Sequence, residues 1–243
     1  MKINKIIFSL TIVLASLFSE IAAQGVISGP KKKNESIAST QQTQNKSTSR
    51  KSVSLSEPDG YINGHGYVDL GLPSGVKWAT CNVGAKKPQQ YGGLYRFGDP
   101  SNNLYDDEEF VPDVNIIGTK NDAATTMWGE SWRTPGIAEA KELLENCIFT
   151  DTIYYGVKGV KIIGPSSKSI FLPYSGVMYN YGRSQAGDVG TYQLGECWKE
   201  INQFTHKIWA QSYELSFFVN TFNPEIISYG TPSWGIPVRA ITD

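Results

Sequence analysis

Glycine punctuates the chain between residues 60 and 98, at positions 60, 64, 66, 71, 75, 84, 92, 93 and 98. No helix of ordinary length fits between such breaks, because an interior glycine costs a helix about 1 kcal/mol relative to alanine. The pieces that remain are strand-sized. Tyr67-Val68-Asp69-Leu70 and Val76-Lys77-Trp78-Ala79-Thr80 alternate with the strand period of two. Leu72-Pro73-Ser74-Gly75 between them reads as a turn, with Pro73 presetting one φ and Gly75 taking the positive one. The stretch VDLGLPSGVKWATCNVGA, Val68 to Ala85, is therefore a strand, a tight turn and a second strand. Trp78 and Cys81 lie on or just beyond the second strand, and the whole reads as a fold signature rather than an active site.

Upstream of this scaffold the composition changes twice. Residues 1–23 have the layout of a secretory signal peptide: Lys2 and Lys5, an apolar run from Ile6 to Phe18, and Ala22-Ala23 before the cleavage point. The apolar run is short for a membrane span. No Cys stands near the cleavage point to carry a lipid, and no second apolar run follows. The expectation is an exported, unlipidated protein without a transmembrane segment after cleavage, in the periplasm, at the outer surface or released. Residues 24–57 carry Lys31-Lys32-Lys33 among Ser, Thr, Gln and Asn, with few aliphatic residues. Such a segment buries too little surface to offset its ordering entropy and reads as a disordered linker. The folded part is expected to span 58–243.

Charge divides along the same boundary. The linker holds six Lys/Arg against two Glu, and residues 58–243 hold fourteen Lys/Arg against twenty Asp/Glu. An acidic folded part excludes a general nucleic-acid binder, which needs a basic face.

Two helices stand out in the rest of the chain. Asn121-Asp122 is placed to cap Ala123–Trp128, with Gly129 as the stop. A longer helix spans about Gly136–Asn146, with Ala140, Leu143, Leu144 and Cys147 on one face. Its start has two readings: Thr134 as cap with Pro135 at N1, or Gly136 as cap with Glu139 reaching back. Beyond Ile153 the pattern is strands and loops, with strands at Val160–Ile163, Ser169–Leu172, Tyr213–Val219 and Ile236–Ile241. The sum is an α+β domain.

Catalytic and metal chemistry find little support in the residue pattern. Asp106-Asp107-Glu108-Glu109 is a carboxylate run without the alternate spacing of a calcium loop, and Phe222-Asn223-Pro224-Glu225 reads as a turn. The two histidines, His65 in a glycine-rich turn and His206, pair with no Cys by spacing, and there is no Gly-x-Ser-x-Gly elbow or zinc-ligand cluster. No catalytic residue, metal site or cofactor is expected, and the chain reads as a non-enzyme. Three cysteines remain after the leader: Cys81, Cys147 and Cys197. An oxidising compartment allows one disulfide and one thiol, and three buried free thiols are the alternative. Trp78, Trp128, Trp132 and Phe171 read as a core cluster. Arg133 and Arg239 read as partners for backbone carbonyls or for a buried carboxylate such as Asp69 or Asp122.

The motifs GYVDLGLPSGVKWATCNVGA, QYGGLYRFGD, NDAATTMWGESWRTP, GPSSKSIFLPYSG and GIPVRAI stand in the order and spacing of the FISUMP domain. The chain resembles this family of secreted domains from anaerobic Gram-negative bacteria over about residues 60–243. The resemblance implies a C-type-lectin-like fold, related to the formylglycine-generating-enzyme fold, with two helices flanking a twisted antiparallel sheet and the chain ends close together. It also implies a Cys81–Cys147 disulfide. The chain departs from the family pattern at Ala140, at Tyr192-Gln193-Leu194-Gly195 and over Glu196–Lys207. Only Cys197 lies where the formylglycine-generating enzymes use two cysteines, so that oxidase chemistry lacks a partner.

The run YSGVMYNYGRSQAGDVGTYQLGECW, Tyr174 to Trp198, mixes aromatic and hydrogen-bonding side chains with Gly and Ser. Tyr179, Asn180, Tyr181, Arg183, Gln185, Asp188, Tyr192 and Trp198 are the candidate ligand-binding residues. Tyr and Trp give large contact area at low entropic cost, and Asn, Gln and Arg add directional bonds. The expected function is a non-catalytic recognition module for a glycan or protein at a cell surface. A structural subunit of an envelope complex or appendage is the alternative, and an enzyme built around His206 and Glu196 the next.

Overall fold

The computed structural model describes residues 53–101, 114–179, 182–201, 203–204, 208–218 and 224–243. The leader, most of the linker, the 106–109 acidic run and His206 lie outside the described residues. So do Phe222 and Asn223.

The first sheet is built by the glycine-punctuated segment. It orders β1 (Gly60–Ile62), β2 (His65–Val68), β3 (Lys77–Ala79) and β12 (Ile241–Thr242), all antiparallel to their neighbours. Asn63 and Gly64 join β1 to β2 with φ of 51° and 81°. Two consecutive positive φ values give the twist that a two-residue hairpin needs, and Asn-Gly adopts them at low cost. The β2–β3 turn closes as the sequence predicts, with the Gly75 N–H donating to the Leu72 carbonyl at 2.9 Å. Tyr67 faces Ala79 and Val68 faces Trp78. A further bond from the Thr80 N–H to the Gly66 carbonyl, at 2.9 Å, continues the ladder.

Helix α1 (Ala123–Trp128) begins and ends where the sequence places it. Asp122 accepts from the Ala124 N–H at 2.9 Å, and Gly129 terminates the helix. Helix α2 (Ile137–Asn146) uses the second of its two candidate starts. Glu139 Oε2 accepts from the Gly136 N–H at 2.9 Å. Thr134 instead donates its hydroxyl to Asp122.

The remaining strands form three antiparallel sheets. β4 (Ile148–Tyr154), β5 (Val157–Ile163) and β6 (Ser169–Pro173) make one, in that order. β7 (Val177–Tyr179) and β8 (Gly182–Ser184) make a two-stranded ribbon. β9 (Val189–Ile201), β10 (Ile208–Phe218) and β11 (Glu225–Gly230) make the third, with β10 central. Among the described residues, two helices with mostly antiparallel sheets make an α+β or mainly-β architecture. The last part of the run Tyr174–Trp198, the expected recognition face, belongs to β9, a strand of 13 residues. The stretch Ile236–Ala240, expected to be strand, is irregular and held by bridges and single bonds such as Tyr95 to Ile236.

Two main groups of buried side chains hold these elements. The larger joins Trp78 and Val68 to Leu143 of α2, Leu172 of β6, Tyr192 of β9 and Phe217 of β10. The second joins Ala79, Trp128, Trp132 and Val238. Each fully buried aliphatic or aromatic side chain of this kind contributes about 1.5–3 kcal/mol. All four expected core aromatics are buried, but Trp78 and the Trp128–Trp132 pair belong to separate groups.

The implied disulfide is absent: Cys81, Cys147 and Cys197 are all free thiols. Cys147 closes α2 and packs on the larger core group. The Cys81 sulfur lies 3.6 Å from Thr80 Oγ1 at the end of the first sheet. The two thiols serve different parts of the structure. No helix among the described residues is long and apolar enough to cross a membrane.

Candidate functional site

The register of the first hairpins fixes what stands at their open end. The pairs 67–79 and 68–78 and the Thr80–Gly66 bond bring the start of β2 and the residues after β3 to one end of the sheet. There His65 and Cys81 line a cavity of about 590 Å³. Its wall is completed by Tyr61, Lys86, Trp128 and Tyr154, and by the segment Leu55–Pro58. That segment is anchored by the Ser169 N–H donating to Ser56 Oγ at 2.8 Å and by Lys161 Nζ donating to the Ser54 carbonyl at 2.7 Å. These bonds start upstream of Pro58, where the folded part is expected to begin.

Aromatic packing shapes the floor. The His65 ring lies flat on Trp128, with centroids 3.9 Å apart and planes within 12°. Trp128 meets Trp132 edge-on at 5.2 Å. Asn63 Nδ2 donates to the Trp128 carbonyl at 2.8 Å, and Trp132 Nε1 to the Ile62 carbonyl at 3.1 Å. The C-terminal end of α1 is thereby fastened to the β1–β2 hairpin. His65 is thus a stacked strand residue rather than part of a loose turn. Burial pushes its imidazole below the ordinary histidine range, and neither ring nitrogen has a hydrogen-bond partner among the described residues. At the rim, Tyr61 is 68% exposed.

Arg239 is buried beside the end of β3. Its guanidinium donates to Asn82 Oδ1 at 2.9 Å, to the Ala79 carbonyl at 2.9 Å and to the Phe171 carbonyl at 2.8 Å. The expected role as a carbonyl partner holds, but neither Asp69 nor Asp122 is involved. Burial pushes the guanidinium below its ordinary value, and Tyr192 and Cys81 act in the opposite direction. Arg133 pairs with Glu139 at 2.8 Å and with Asp243 at 3.0 Å. Asp122 accepts from Thr134 and from the Gly118 N–H instead.

The residues expected to form one recognition face are dispersed. Tyr192 is buried at 2% exposure, and its hydroxyl donates to the Pro173 carbonyl at 2.6 Å. It is core because β9 is covered on both sides. Arg183 spends its guanidinium on the Ser175 and Gly92 carbonyls, at 2.6 and 2.7 Å, and lies over the Tyr91 ring. Gln185 and Asp188 are exposed at a tight turn, where Asp188 lies 3.6 Å from Lys158 Nζ. Trp198 is 43% exposed on β9. Tyr179 ends β7, and Asn180 and Tyr181 lie outside the described residues. Glu196, a candidate catalytic acid, accepts from the Ile137 N–H at the start of α2 and so acts as a helix anchor.

Sequence reasoning missed the cavity residues Tyr61, His65 and Cys81. One signal carries the first two: the Asn63-Gly64 dipeptide, which marks a two-residue hairpin with Tyr61 and His65 on either side. No family model, curated protein or solved structure matches the chain.

Proposed function

We propose that the chain is an exported, non-catalytic recognition module that takes a short glycan into the Tyr61–His65–Trp128 cavity. The observation that carries this reading is the composition of that cavity: aromatic walls beside hydroxyl, carboxylate and ammonium groups from Thr80, Glu57 and Lys86. Sugar rings present an apolar face to aromatics and hydroxyls to a polar rim, and pockets of this mixed kind fix orientation with few polar groups. The resemblance to FISUMP domains and a C-type-lectin-like fold fit the same reading. Beside that expectation we set two observations, two helices among the described residues and β1 and β12 in one sheet. Glycan-array binding of the full chain, repeated with Tyr61→Ala and Lys86→Ala, tests it. Binding lost in these exposed-rim variants with folding retained is the expected result, and binding that survives both removes the cavity from consideration. A protein ligand is then the remaining partner class.

A structural subunit is the second reading, supported by the β4 edge. Ile148 and Ile153 of this edge strand are 66% and 60% exposed. Such an edge is a template for pairing with another chain. Sedimentation of the chain against Ile153→Lys separates the two readings: assembly abolished by the substitution supports the subunit, and a monomer in both cases leaves recognition.

A further inference from the structure

Glu214 sits where the β10 ladder is broken on both flanks. Against β11 the pairing passes from Ser212–Gly230 to Glu214–Ile227, and against β9 from Ser212–Cys197 to Glu214–Gln193. From Ser212 to Glu214 is two steps on β10 but three on β11 and four on β9. Bulges of this kind interrupt the hydrogen bonds and bend the strand. A central strand interrupted at one level on both sides is where a sheet parts most readily.

The Glu214 carboxyl is enclosed at this level. Its hydrogen bond among the described residues comes from the Ser212 hydroxyl, at 3.3 Å, and none of the ion pairs among them includes it. Gly230 of β11 closes over it: a Cβ there would collide with Glu214 Oε1 and with Ser212 Oγ. A carboxylate held in such a site without a cation is costly, so the enclosed form is the neutral acid. Burial accordingly pushes the carboxyl up to about 7, with Ser212 acting the other way. The ionisable groups on the surrounding elements are Cys197 on β9, Glu225 on β11, and Tyr95 and Arg96 on the segment bonded to β9 through Gln193. Helix α2, with Glu139, Lys141, Glu142 and Glu145, lies toward the other face of β11, where Ile226 joins the larger core group. None of these groups contributes to the shift.

β11 runs directly into a segment that holds β7. The Phe97 N–H donates to the Pro232 carbonyl at 3.0 Å, and Tyr95 and Ile236 exchange bonds of 3.0 and 2.9 Å. The Met178 N–H of β7 donates to the Gly235 carbonyl at 2.7 Å. From these placements we infer that Glu214 is a pH-operated latch: as the neutral acid it keeps β11 closed on β10, and its ionisation parts the two strands at Gly230 and slackens the 231–236 segment that holds β7. The charge reaches water by lifting Gly230, because β11 is an edge strand and Gly230 is the residue that stands over the carboxyl. This inference does not rest on the glycan reading.

Hydrogen exchange of the full chain, read amide by amide at pH 6 and pH 8 and corrected for the intrinsic pH effect, tests the latch. The amides of β11, of 231–236 and of Met178 are expected to exchange faster than those of β5, through an opening that urea hardly promotes. That opening should be about ten times more populated at pH 8 than at pH 6. Glu214→Gln, which cannot ionise, should remove the pH effect. Ser212→Ala takes away the hydroxyl that favours the ionised form and should move the midpoint of the effect to higher pH. Exchange of β11 only in step with β5, or a pH effect that survives Glu214→Gln, overturns the inference. If the glutamine variant fails to fold, a midpoint unmoved by Ser212→Ala overturns it instead.

Discussion

Arg239 and Asn82, both buried, meet through a hydrogen bond of 2.9 Å from Nε to Oδ1. The same guanidinium bridges the carbonyls of Ala79 in the first sheet and Phe171 in the second. One side chain therefore joins two sheets that share no backbone ladder. Arg239→Met retains volume but leaves three acceptors without their donor. A loss on the order of 3–5 kcal/mol is expected in denaturant unfolding. A loss under 1 kcal/mol would show that the sheets hold together without it.

Asp122 is the corresponding fastener at the start of α1. Its carboxylate accepts from the N–H groups of Gly118, Ala124 and Thr134 and from the Thr134 hydroxyl. Asp122→Ala should cost about 2–4 kcal/mol, more than an ordinary exposed cap, because the freed donors are buried. Thr134→Val, which removes one of the four bonds, should cost less. Equal losses in the two variants would argue against the shared-acceptor account.

Glu214 supplies the clearest pH dependence. It is 3% exposed beside a β-bulge in β10, and burial pushes its carboxyl from 4.5 up to about 7. Gly230 makes the space, since a Cβ there would stand 1.8 Å from Glu214 Oε1. The folded form holds its proton to higher pH than the unfolded chain does. Stability from this group is therefore full below pH 4.5, falls as pH rises through about 7, and stays low above it. The decline is on the order of 2–3 kcal/mol. His65 acts with the opposite sign: its lowered value removes stability as pH falls. Unfolding of Glu214→Gln against wild type from pH 5 to 8 isolates the carboxyl. A difference between the two chains that does not vary with pH would contradict the assignment.

Tyr192 and Trp198 separate core from surface on one strand. Tyr192→Ala should cost about 3–5 kcal/mol by emptying a buried site, while Trp198→Ala should cost about 1 kcal/mol or less. Thermal melts of the two variants test this directly, and similar shifts would place both residues in the same environment.

These residues also show what the sequence reveals and what it conceals. Asp122, Gly129 and Glu139 announce both helices, because capping is local chemistry written in neighbouring positions. The hairpin around Pro73 is legible for the same reason. β9 is not. Residues 190–195 are buried without interruption, so alternation, which needs one wet face, is missing. Gly190 and Gly195 look like loop residues but make room for Tyr174 and Ile117. The cavity is concealed for another reason. His65 and Cys81 are sixteen positions apart and come to line one cavity only through the fold of separate segments.

The arrangement of β1 and β12 has a mechanical consequence. In the order β1-β2-β3-β12 each neighbour is antiparallel, so the start of β1 and the finish of β12 leave by the same margin of the sheet. Tension between the two termini thus opens rungs one after another instead of loading them together. The strip of chain at Leu55–Pro58, which walls the cavity, is the first part to be peeled away. A molecule anchored by one terminus and pulled by the other would empty its cavity before the rest of the domain gave way.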